Sequence, residues 1–231
     1  MIPLKDDLPT RSAPAVTVAL IALNVLVFLY QASLQIDGPG EGAAQAFALE
    51  FGLVPCRLTS ACRMAGDLPS PVFTVFSSMF LHGSLFHIAG NMLYLWIFGN
   101  NVEDTLGHVR YLVFYLASGV VAAATQTIVD QSSRVPMIGA SGAISGVLGA
   151  YFLLFPHANV LTLVIFGFFW RLVSIPALVV LGFWMVVQIL NGLGSLGAGG
   201  GVAWFAHIGG FFAGMGLVLA LRPRSAPRPW T

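Results

Sequence analysis

Two side chains that can react stand in segments that are otherwise apolar and rich in glycine. Ser141 lies in the run Gly139-Ala-Ser-Gly142, and His207 lies in Ala206-His-Ile-Gly-Gly210. A serine hydroxyl is a weak nucleophile until a neighbouring base takes its proton, and a neutral imidazole can do so near pH 7. The residue types therefore make Ser141 a candidate nucleophile and His207 a candidate general base.

Two further polar side chains can serve the same reaction. His87 and Asn91 are four positions apart, so they share one face of a helix. Both can donate hydrogen bonds to the negative charge that develops on a carbonyl oxygen under attack. Backbone N–H groups add to such an oxyanion site if a helix begins near Ser141, because the first N–H groups of a helix lack partners within it.

Each of these features also has a structural interpretation, which the residues alone leave open. A Gly-x-Ser-Gly segment in a membrane helix often serves close packing. His207 can be a packed, hydrogen-bonded residue, and His87 with Asn91 can cap and pin a helix. A metal site of His82, His87 and His207 would lack an acidic ligand and an HExxH helix. We therefore expect no metal and no cofactor.

The composition places these residues in a membrane protein. Hydrophobic residues make up 57% of the 231 positions and charged residues 8%, whereas soluble proteins carry about 25% charged residues. The mean hydropathy is +0.86. Ten basic residues against nine acidic ones provide no electrostatic footprint for nucleic acid. The expected surroundings are thus a lipid bilayer, with no nucleic-acid partner.

Stretches without Asp, Glu, Lys or Arg predict six membrane-spanning helices, since crossing the bilayer takes about 20 apolar residues. Their approximate bounds are 14–34, 84–100, 111–129, 141–155, 174–190 and 203–221. The predicted fold class is an all-α membrane protein, a six-helix bundle over 14–221. Residues 1–13 and 222–231 are expected to be a short N-terminus and a C-terminal stub on the cytoplasmic side.

Three connecting segments carry further expectations. The apolar stretch 157–170 is short for a span, so we expect it to lie on the bilayer surface. The run 191–201 is too rich in glycine to stay helical, and its residues 192–201 are a candidate lid over the site. Cys56 and Cys62 lie in the first external loop, where either a disulfide or two free thiols is open.

The distribution of basic residues predicts the orientation. Six spans put both termini on one side, and cytoplasmic termini place seven basic residues inside and three outside. A cleaved signal peptide is the competing interpretation, disfavoured by Asp6 and Asp7 beside Lys5. Spans two, four and six then run inward, so Asn91, Ser141 and His207 share a depth just below the outer surface. No carboxylate falls within the predicted spans, which favours a Ser–His dyad over a triad.

Together these residues resemble the rhomboid family of intramembrane serine proteases. The resemblance covers roughly residues 14–221, with its motifs in the family's order. The matching segments are Phe51-Gly-Leu-Val-Pro55, Leu81-His-Gly-Ser-Leu-Phe-His-Ile-Ala-Gly-Asn91, Trp96-Ile-Phe-Gly99, Val102-Glu103, Leu106-Gly107, Gly139-Ala-Ser-Gly-Ala-Ile-Ser-Gly146 and Ala206-His-Ile-Gly-Gly210.

The resemblance implies a role for each matching residue. Ser141 would be the nucleophile and His207 the base, while His87, Asn91 and the Ser141 backbone N–H would form the oxyanion site. The supporting residues would be Gly139, Gly142, Gly210, His82, whose role is not chemical, and Glu103, which matches a structural loop glutamate.

Two departures from the family pattern stand out. Many members carry a Trp-Arg pair in the first loop, and none is found here. Some members place an aromatic residue four positions after the nucleophile, stacked on the histidine. This chain has Ser145 there, so another group must hold His207.

The implied activity is hydrolysis of peptide bonds in or near the transmembrane segments of membrane-anchored substrates. The expected location is a bacterial plasma membrane, with the site open to the outer side. Two other functions remain as alternatives. A non-catalytic relative would bind transmembrane helices without cutting them. A small-solute transporter would carry charged or broken-helix sites near the midplane, whereas the polar cluster here is shallow.

Overall fold

The computed structural model describes residues 1–37, 41–64, 68–196 and 201–223. The last residues of the expected C-terminal stub therefore lie outside the described part. The elements in chain order are β1 (Ile2–Asp6), α1 (Ala15–Asp37), α2 (Glu41–Phe51), α3 (Pro55–Leu58), α4 (Pro71–Ser77), a 3-10 turn (Ser78–Phe80), α5 (Leu85–Leu106), α6 (His108–Val129), α7 (Ser141–Leu154), β2 (Asn159–Phe166), β3 (Phe169–Pro176), α8 (Ala177–Gly194) and α9 (Trp204–Leu221).

Helices coincide with the six predicted spans, but they differ in how well each fits a bilayer. Within the described residues, α1, α6, α8 and α9 are long and apolar enough to cross. A fifth candidate is α4 together with α5, a pair bent by 83°. The remaining helix, α7, is apolar but only 14 residues long. Four to five candidate spans confirm a mostly helical membrane protein.

A three-stranded antiparallel sheet corrects the expectation of an all-α fold. The strand order is β1-β2-β3, and the β2–β3 hairpin pairs Asn159 with Pro176 through to Phe166 with Phe169. β2 is rich in β-branched residues and β3 combines β-branched with aromatic residues, and both kinds favour extended structure. Gly167 supplies the positive φ of 58° that the two-residue turn requires. A hydropathy pattern shows that such a segment is apolar. It does not show that the segment pairs with a strand about 150 residues earlier in the chain.

Two helices run further than predicted. The helix α8 continues to Gly194, because its carbonyls still find N–H partners through the first glycines of the run 191–201. Residues 197–200 of the candidate lid lie outside the described part. The helix α5 continues to Leu106, so Glu103 lies in its last turn rather than in a loop.

Glu103 joins α5 to the start of α1. Its buried carboxylate accepts hydrogen bonds from the backbone N–H of Val16 at 2.9 Å and from the N–H and Oγ1 of Thr17 at 2.8 and 2.7 Å. His108 lies with Nδ1 2.6 Å from Glu103 Oε1. The carboxylate therefore satisfies N–H groups that a helix start leaves unpaired.

The backbones of α7 and α9 approach each other closely at several glycines. A Cβ at Gly210 would collide with the carbonyl oxygen of Gly142, and one at Gly214 would collide with that of Gly146. Gly149 lies against the backbone of Phe211 in the same way. Such contact between helices requires small residues, and it brings the first residue of α7 next to the first turn of α9.

The first loop is anchored without a Trp-Arg pair. Cys56 and Cys62 form a disulfide, which resolves the alternative that the sequence left open. Leu53 exchanges two backbone hydrogen bonds with Met137, at 3.0 and 2.7 Å, and so ties the loop to the segment before α7. The guanidinium of Arg57 donates to the carbonyl of Pro69 at 2.6 Å.

Candidate active site

Ser141 and His207 meet at the interface of α7 and α9. The serine Oγ lies 2.8 Å from the imidazole Nε2, within hydrogen-bond distance. Ser141 is the first residue of α7, and His207 lies in the first turn of α9. Both side chains are partly exposed. The structure thus brings together the two residues that the sequence singled out, at a place that solvent can reach.

The other face of the imidazole is held by α8, through residues that the sequence analysis missed. Gln188 Oε1 lies 2.7 Å from His207 Nδ1, and the Gln188 side chain is buried. The Trp184 ring lies on the same side, with its centroid 6.0 Å from that of the imidazole. Trp204 adds an edge-on contact at 6.1 Å. These groups occupy the role that a stacked aromatic four residues after the nucleophile has in some relatives.

Ser145, which stands at that aromatic position, points elsewhere. Its hydroxyl donates to the Ser141 carbonyl at 2.6 Å, and its side chain is buried. A serine one turn into a helix often bonds back to the preceding turn in this way. Ser145 therefore makes its hydrogen bond within α7 rather than with His207.

His87 and Asn91 face the loop that leads into Ser141. A Cβ at Gly139 would lie 2.7 Å from His87 Nε2 and 3.7 Å from Asn91 Nδ2. Gly139 also has a φ of +125°, which side-chain-bearing residues rarely adopt. Only glycine lets the backbone pass this close to both polar groups. Gly139, predicted as a supporting residue, is thereby placed between α5 and the start of α7.

His82 lies behind Asn91 and outside the cavity. Its Nε2 is 2.9 Å from Asn91 Nδ2, and its backbone N–H donates to Gln31 Oε1 at 3.0 Å. The His82 side chain is buried, with its ring centroid 5.0 Å from that of His87. Its position is that of a group that orients Asn91, since the amide NH₂ donates to it.

A second glutamine holds the start of α9. Gln126 Oε1, on α6, accepts from the backbone N–H groups of Phe205 and Ala206 at 3.1 and 3.3 Å. It caps the helix that carries His207. Gln31, Gln126 and Gln188 carry no charge and stand in none of the motifs that drew attention to the other site residues, so the sequence did not single them out. An amide inside an apolar span is the signal that would have found Gln188.

A cavity of about 870 Å³ contains the four principal side chains, Ser141, His207, His87 and Asn91. Among the described residues that line it, Asp130 is the one carboxylate. Searching the described ranges for three or more His, Cys, Asp or Glu side chains that could hold a metal ion finds no such group. The site is built from neutral polar groups around a serine hydroxyl.

The chain is similar in sequence to known rhomboid proteins. A family model described as Rhomboid domain matches residues 69–224. RHOMBOID-like protein 2 of Arabidopsis thaliana is 29% identical over 91% of this chain and 67% of its own length. Rhomboid protease GluP of Bacillus subtilis is 30% identical over 89% of this chain and 35% of its own length.

Rhomboid protein 1, mitochondrial, of Saccharomyces cerevisiae is 33% identical over 42% of this chain and 30% of its own length. The chain therefore spans about a third to two thirds of the length of these relatives. The family model covers well over half of the chain and includes Ser141, His207, His87 and Asn91. This chain belongs to the rhomboid family.

Proposed function

We propose that this chain is an intramembrane serine endopeptidase in which Ser141 is the nucleophile and His207 the general base. The observation that carries the proposal is the 2.8 Å approach of Ser141 Oγ to His207 Nε2 inside a cavity that also contains His87 and Asn91. Membership of a family that includes a named rhomboid protease, GluP, supports the same activity.

The arrangement suits acyl transfer in two steps. Ser141 Oγ attacks the peptide carbonyl while His207 Nε2 takes the hydroxyl proton, and a tetrahedral oxyanion forms. His207 then returns that proton to the departing amine as the C–N bond breaks and an acyl-serine remains. The same imidazole then deprotonates a water molecule, which attacks the ester and forms a second tetrahedral intermediate. Collapse of that intermediate releases the carboxylic acid, and the imidazole returns the proton to the Ser141 hydroxyl.

Donors for the oxyanion come from two helices. Asn91 carries two N–H donors, and the bond to His82 uses one of them, so the second is available to the oxyanion. His87 Nε2 lies beside Gly139, two residues before the nucleophile. The N–H of Ser141 begins α7, where a helix has unpaired donors and its positive dipole end. Three donors would thus converge where the charge develops.

The length of α7 supports a recessed site. Fourteen residues extend about 21 Å at 1.5 Å each, less than the roughly 30 Å of hydrocarbon in a bilayer. In the proposed arrangement α7 is the fourth of six crossings, and Ser141 lies below the membrane surface. The cavity would admit the water that deacylation consumes. The proposed orientation has cytoplasmic termini and a site open to the outer side, and the bias of basic residues supports it. The proposed location is a bacterial plasma membrane.

The proposed substrates are membrane-anchored proteins cut in or near their transmembrane segments. A helix buries its own peptide bonds in backbone hydrogen bonds, so the substrate must unwind locally before Ser141 can reach a carbonyl. The lid proposal for 192–201 is supported by Leu196 and Gly201, which line the cavity on either side of the undescribed residues. A crosslink between this loop and α5 is expected to slow cleavage, and unchanged rates would contradict the lid.

The test uses purified full-length protein in vesicles with a substrate that carries one transmembrane helix. Wild type is expected to cleave it and to be labelled by a fluorophosphonate at Ser141, with the adduct mapped by mass spectrometry. Ser141→Ala and His207→Ala are expected to abolish cleavage. Ser132→Ala, an exposed serine of the loop before α7, is the matched control and is expected to retain full activity. Cleavage that persists in Ser141→Ala would refute the proposal.

The same experiment separates the two alternatives. A non-catalytic relative would bind the substrate helix without cleavage or labelling in wild type. A transporter would move solute across the vesicle without either. Ser141 and His207 in hydrogen-bond contact disfavour both, because neither binding nor transport needs an activated hydroxyl.

A further inference from the structure

We propose that Gln188 is a positioning residue that completes a Ser141–His207–Gln188 chain of hydrogen bonds. This inference rests on the proposed function, because it concerns the base of that reaction. Gln188 Oε1 lies 2.7 Å from His207 Nδ1, on the side of the ring opposite Ser141. The Gln188 side chain is buried, so water does not compete for the contact.

The hydrogen-bond roles of Gln188 and His207 follow from a backbone carbonyl that can only accept. Gln188 Nε2 lies 3.3 Å from the backbone carbonyl of Trp184, which can only accept. The NH₂ of the amide therefore faces Trp184, and its oxygen faces His207. An oxygen can only accept there, so His207 Nδ1 must carry the proton. The remaining ring nitrogen, Nε2, is then unprotonated and accepts the hydroxyl of Ser141.

The amide thus selects the tautomer of His207 that a general base needs. In serine proteases with a carboxylate as third member, the carboxylate holds the imidazole in the same tautomer and orientation. A carboxylate carries a charge that is costly to place in a membrane, whereas Gln188 positions the ring without one. Trp184, one turn earlier on α8, packs on the ring that Gln188 orients.

The test compares three variants of α8 in the full-length enzyme. Gln188→Leu removes the acceptor, and Gln188→Glu keeps an acceptor oxygen at the same place. Asn191→Leu is the matched control, because Asn191 also bonds back to the carbonyl four residues earlier but is exposed and does not line the cavity.

Gln188→Leu is expected to lower kcat about 10- to 100-fold, part of the 100- to 10,000-fold that a general base supplies. KM is expected to change less than twofold, since Gln188 does not touch substrate. Gln188→Glu is expected to recover most of the lost kcat, and Asn191→Leu to match wild type. In ¹⁵N-histidine NMR, wild type is expected to show His207 protonated at Nδ1, and Gln188→Leu to show a mixture of tautomers.

A wild-type kcat in folded Gln188→Leu, or an unchanged His207 tautomer, would overturn this inference. Ser141→Ala, assayed alongside, separates it from the proposed function. Loss of cleavage in Ser141→Ala with full activity in Gln188→Leu would refute only the role of Gln188. Cleavage that persists in Ser141→Ala would refute the proposed function itself.

A second, independent observation concerns the far end of the β2–β3 hairpin. The strand β1 pairs with β2 only as far as Leu163, so residues 164–172 extend as a two-stranded ribbon. Its most exposed side chains are apolar or aromatic, each at least 75% exposed: Phe166, Phe168, Phe169 and Trp170. Arg171 is the one charged side chain of this ribbon, whose other side chains are apolar, and such an isolated hairpin is only marginally stable in water.

We infer that this ribbon inserts into the lipid headgroup region of the leaflet opposite Ser141. The hairpin follows the end of α7, whereas Ser141 begins that helix, so the two lie at opposite ends of it. The strand β3 runs directly into α8, a candidate membrane span, which keeps the hairpin base at the membrane boundary. Aromatic residues and Arg171 are typical of the interface, where arginine can pair with lipid phosphate.

The depth is limited by the backbone. The outer edge of β3 has no strand partner in the described sheet, and unpaired N–H and C=O groups are costly in hydrocarbon. The headgroup region, where water and lipid oxygens satisfy such groups, is therefore the level at which the ribbon comes to rest. A second copy of the chain paired along this edge is the rival occupant.

Spin labels distinguish the two occupants without any activity assay. Both native cysteines are in the disulfide, so Phe168→Cys can be labelled alone and compared with His157→Cys, an exposed position at the base of the same hairpin. In anionic vesicles the Phe168 label is expected to collide with oxygen more than with an aqueous nickel complex, and the His157 label to show the reverse. Equal access of the nickel complex to both labels would refute insertion. Spin–spin broadening that survives dilution with lipid would assign the edge to a second copy instead.

Discussion

The two ends of the helix bundle are held together by different chemical groups. At the Ser141 end, the contacts come from amides: Gln31, Gln126, Gln188 and Asn91. At the opposite end they come from carboxylates: Glu103 with α1, Asp6 with Tyr151, Asp7 with Asn159 and Asp104 with Ser12. The first end encloses the candidate site, and the second connects the N-terminal segment to the bundle.

The difference has an electrostatic reason. A buried carboxylate is costly inside the membrane, whereas a neutral amide orients its partner without that cost. At the other end no charge develops, and a carboxylate satisfies several N–H groups at a helix start at once. Substitutions at the first end are therefore expected to change rate, and substitutions at the second to change stability.

Asn91→Ala is expected to have the largest effect on this comparison. Removal of one oxyanion donor lowers kcat on the order of 100- to 1,000-fold, and the thermal midpoint is expected to move little. Steady-state cleavage of a transmembrane substrate measures the first quantity and differential scanning fluorimetry the second. His82→Ala is expected to lower kcat less, and to add nothing in the Asn91→Ala background because His82 acts through Asn91. If the kcat losses of His82→Ala and Asn91→Ala add in the double variant, His82 does not act through Asn91.

Glu103→Ala is the corresponding change at the carboxylate end. It leaves the N–H groups of Val16 and Thr17 unpaired in a buried place, which is expected to cost about 2–4 kcal/mol of unfolding free energy. The kcat of the folded fraction is expected to remain within twofold of wild type. Equilibrium unfolding in mixed detergent measures the loss, with the partly exposed Asp104→Asn as a control of much smaller effect. A stable but inactive Glu103→Ala would break the division between the two ends.

Gln126→Leu sharpens the comparison, since the Gln126 side-chain oxygen accepts hydrogen bonds from backbone N–H groups of α9. Loss of the cap on α9 is expected to cost about 1 kcal/mol of unfolding free energy. Its effect on kcat is expected to be smaller than that of Gln188→Leu, because Gln126 touches the helix and not the imidazole. Gln126→Leu and Gln188→Leu are measured side by side for kcat and for unfolding free energy. The comparison tests whether an amide at this end affects kcat only when it contacts the imidazole of His207. A larger kcat loss in Gln126→Leu would point to the position of α9 instead.

Asp6 provides the smallest effect, and a pH-dependent one. Burial raises the pKa of its carboxyl above the ordinary value, and the hydrogen bond from Tyr151 opposes that rise only in part. A raised pKa in the folded state means that the contribution of Asp6 to stability is complete below its unfolded pKa and declines as pH rises through the folded one. Asp6→Asn is therefore expected to gain stability relative to wild type between pH 4 and pH 7. Thermal midpoints that change in parallel would contradict this.

The sequence predicted the helices well and the sheet poorly. Long apolar stretches between charges located α1, α5, α6, α8 and α9 to within a few residues, because the bilayer demands such stretches. The stretch 157–170 was predicted to be a surface segment and its strands were missed, since its apolar residues match both a lipid contact and a strand. Its partner β1 lies more than 150 residues earlier, and pairing at that distance leaves no local signal.

Residue types and their order were enough to indicate the family, the membrane setting and the candidate residues Ser141, His207, His87 and Asn91. What orients the imidazole was decided only by the tertiary structure, because Gln188 and Trp184 come from a third helix whose rotation no spacing reveals. The same holds for the division between amides and carboxylates, since each contact joins residues that are distant along the chain and becomes visible only when the helices are packed.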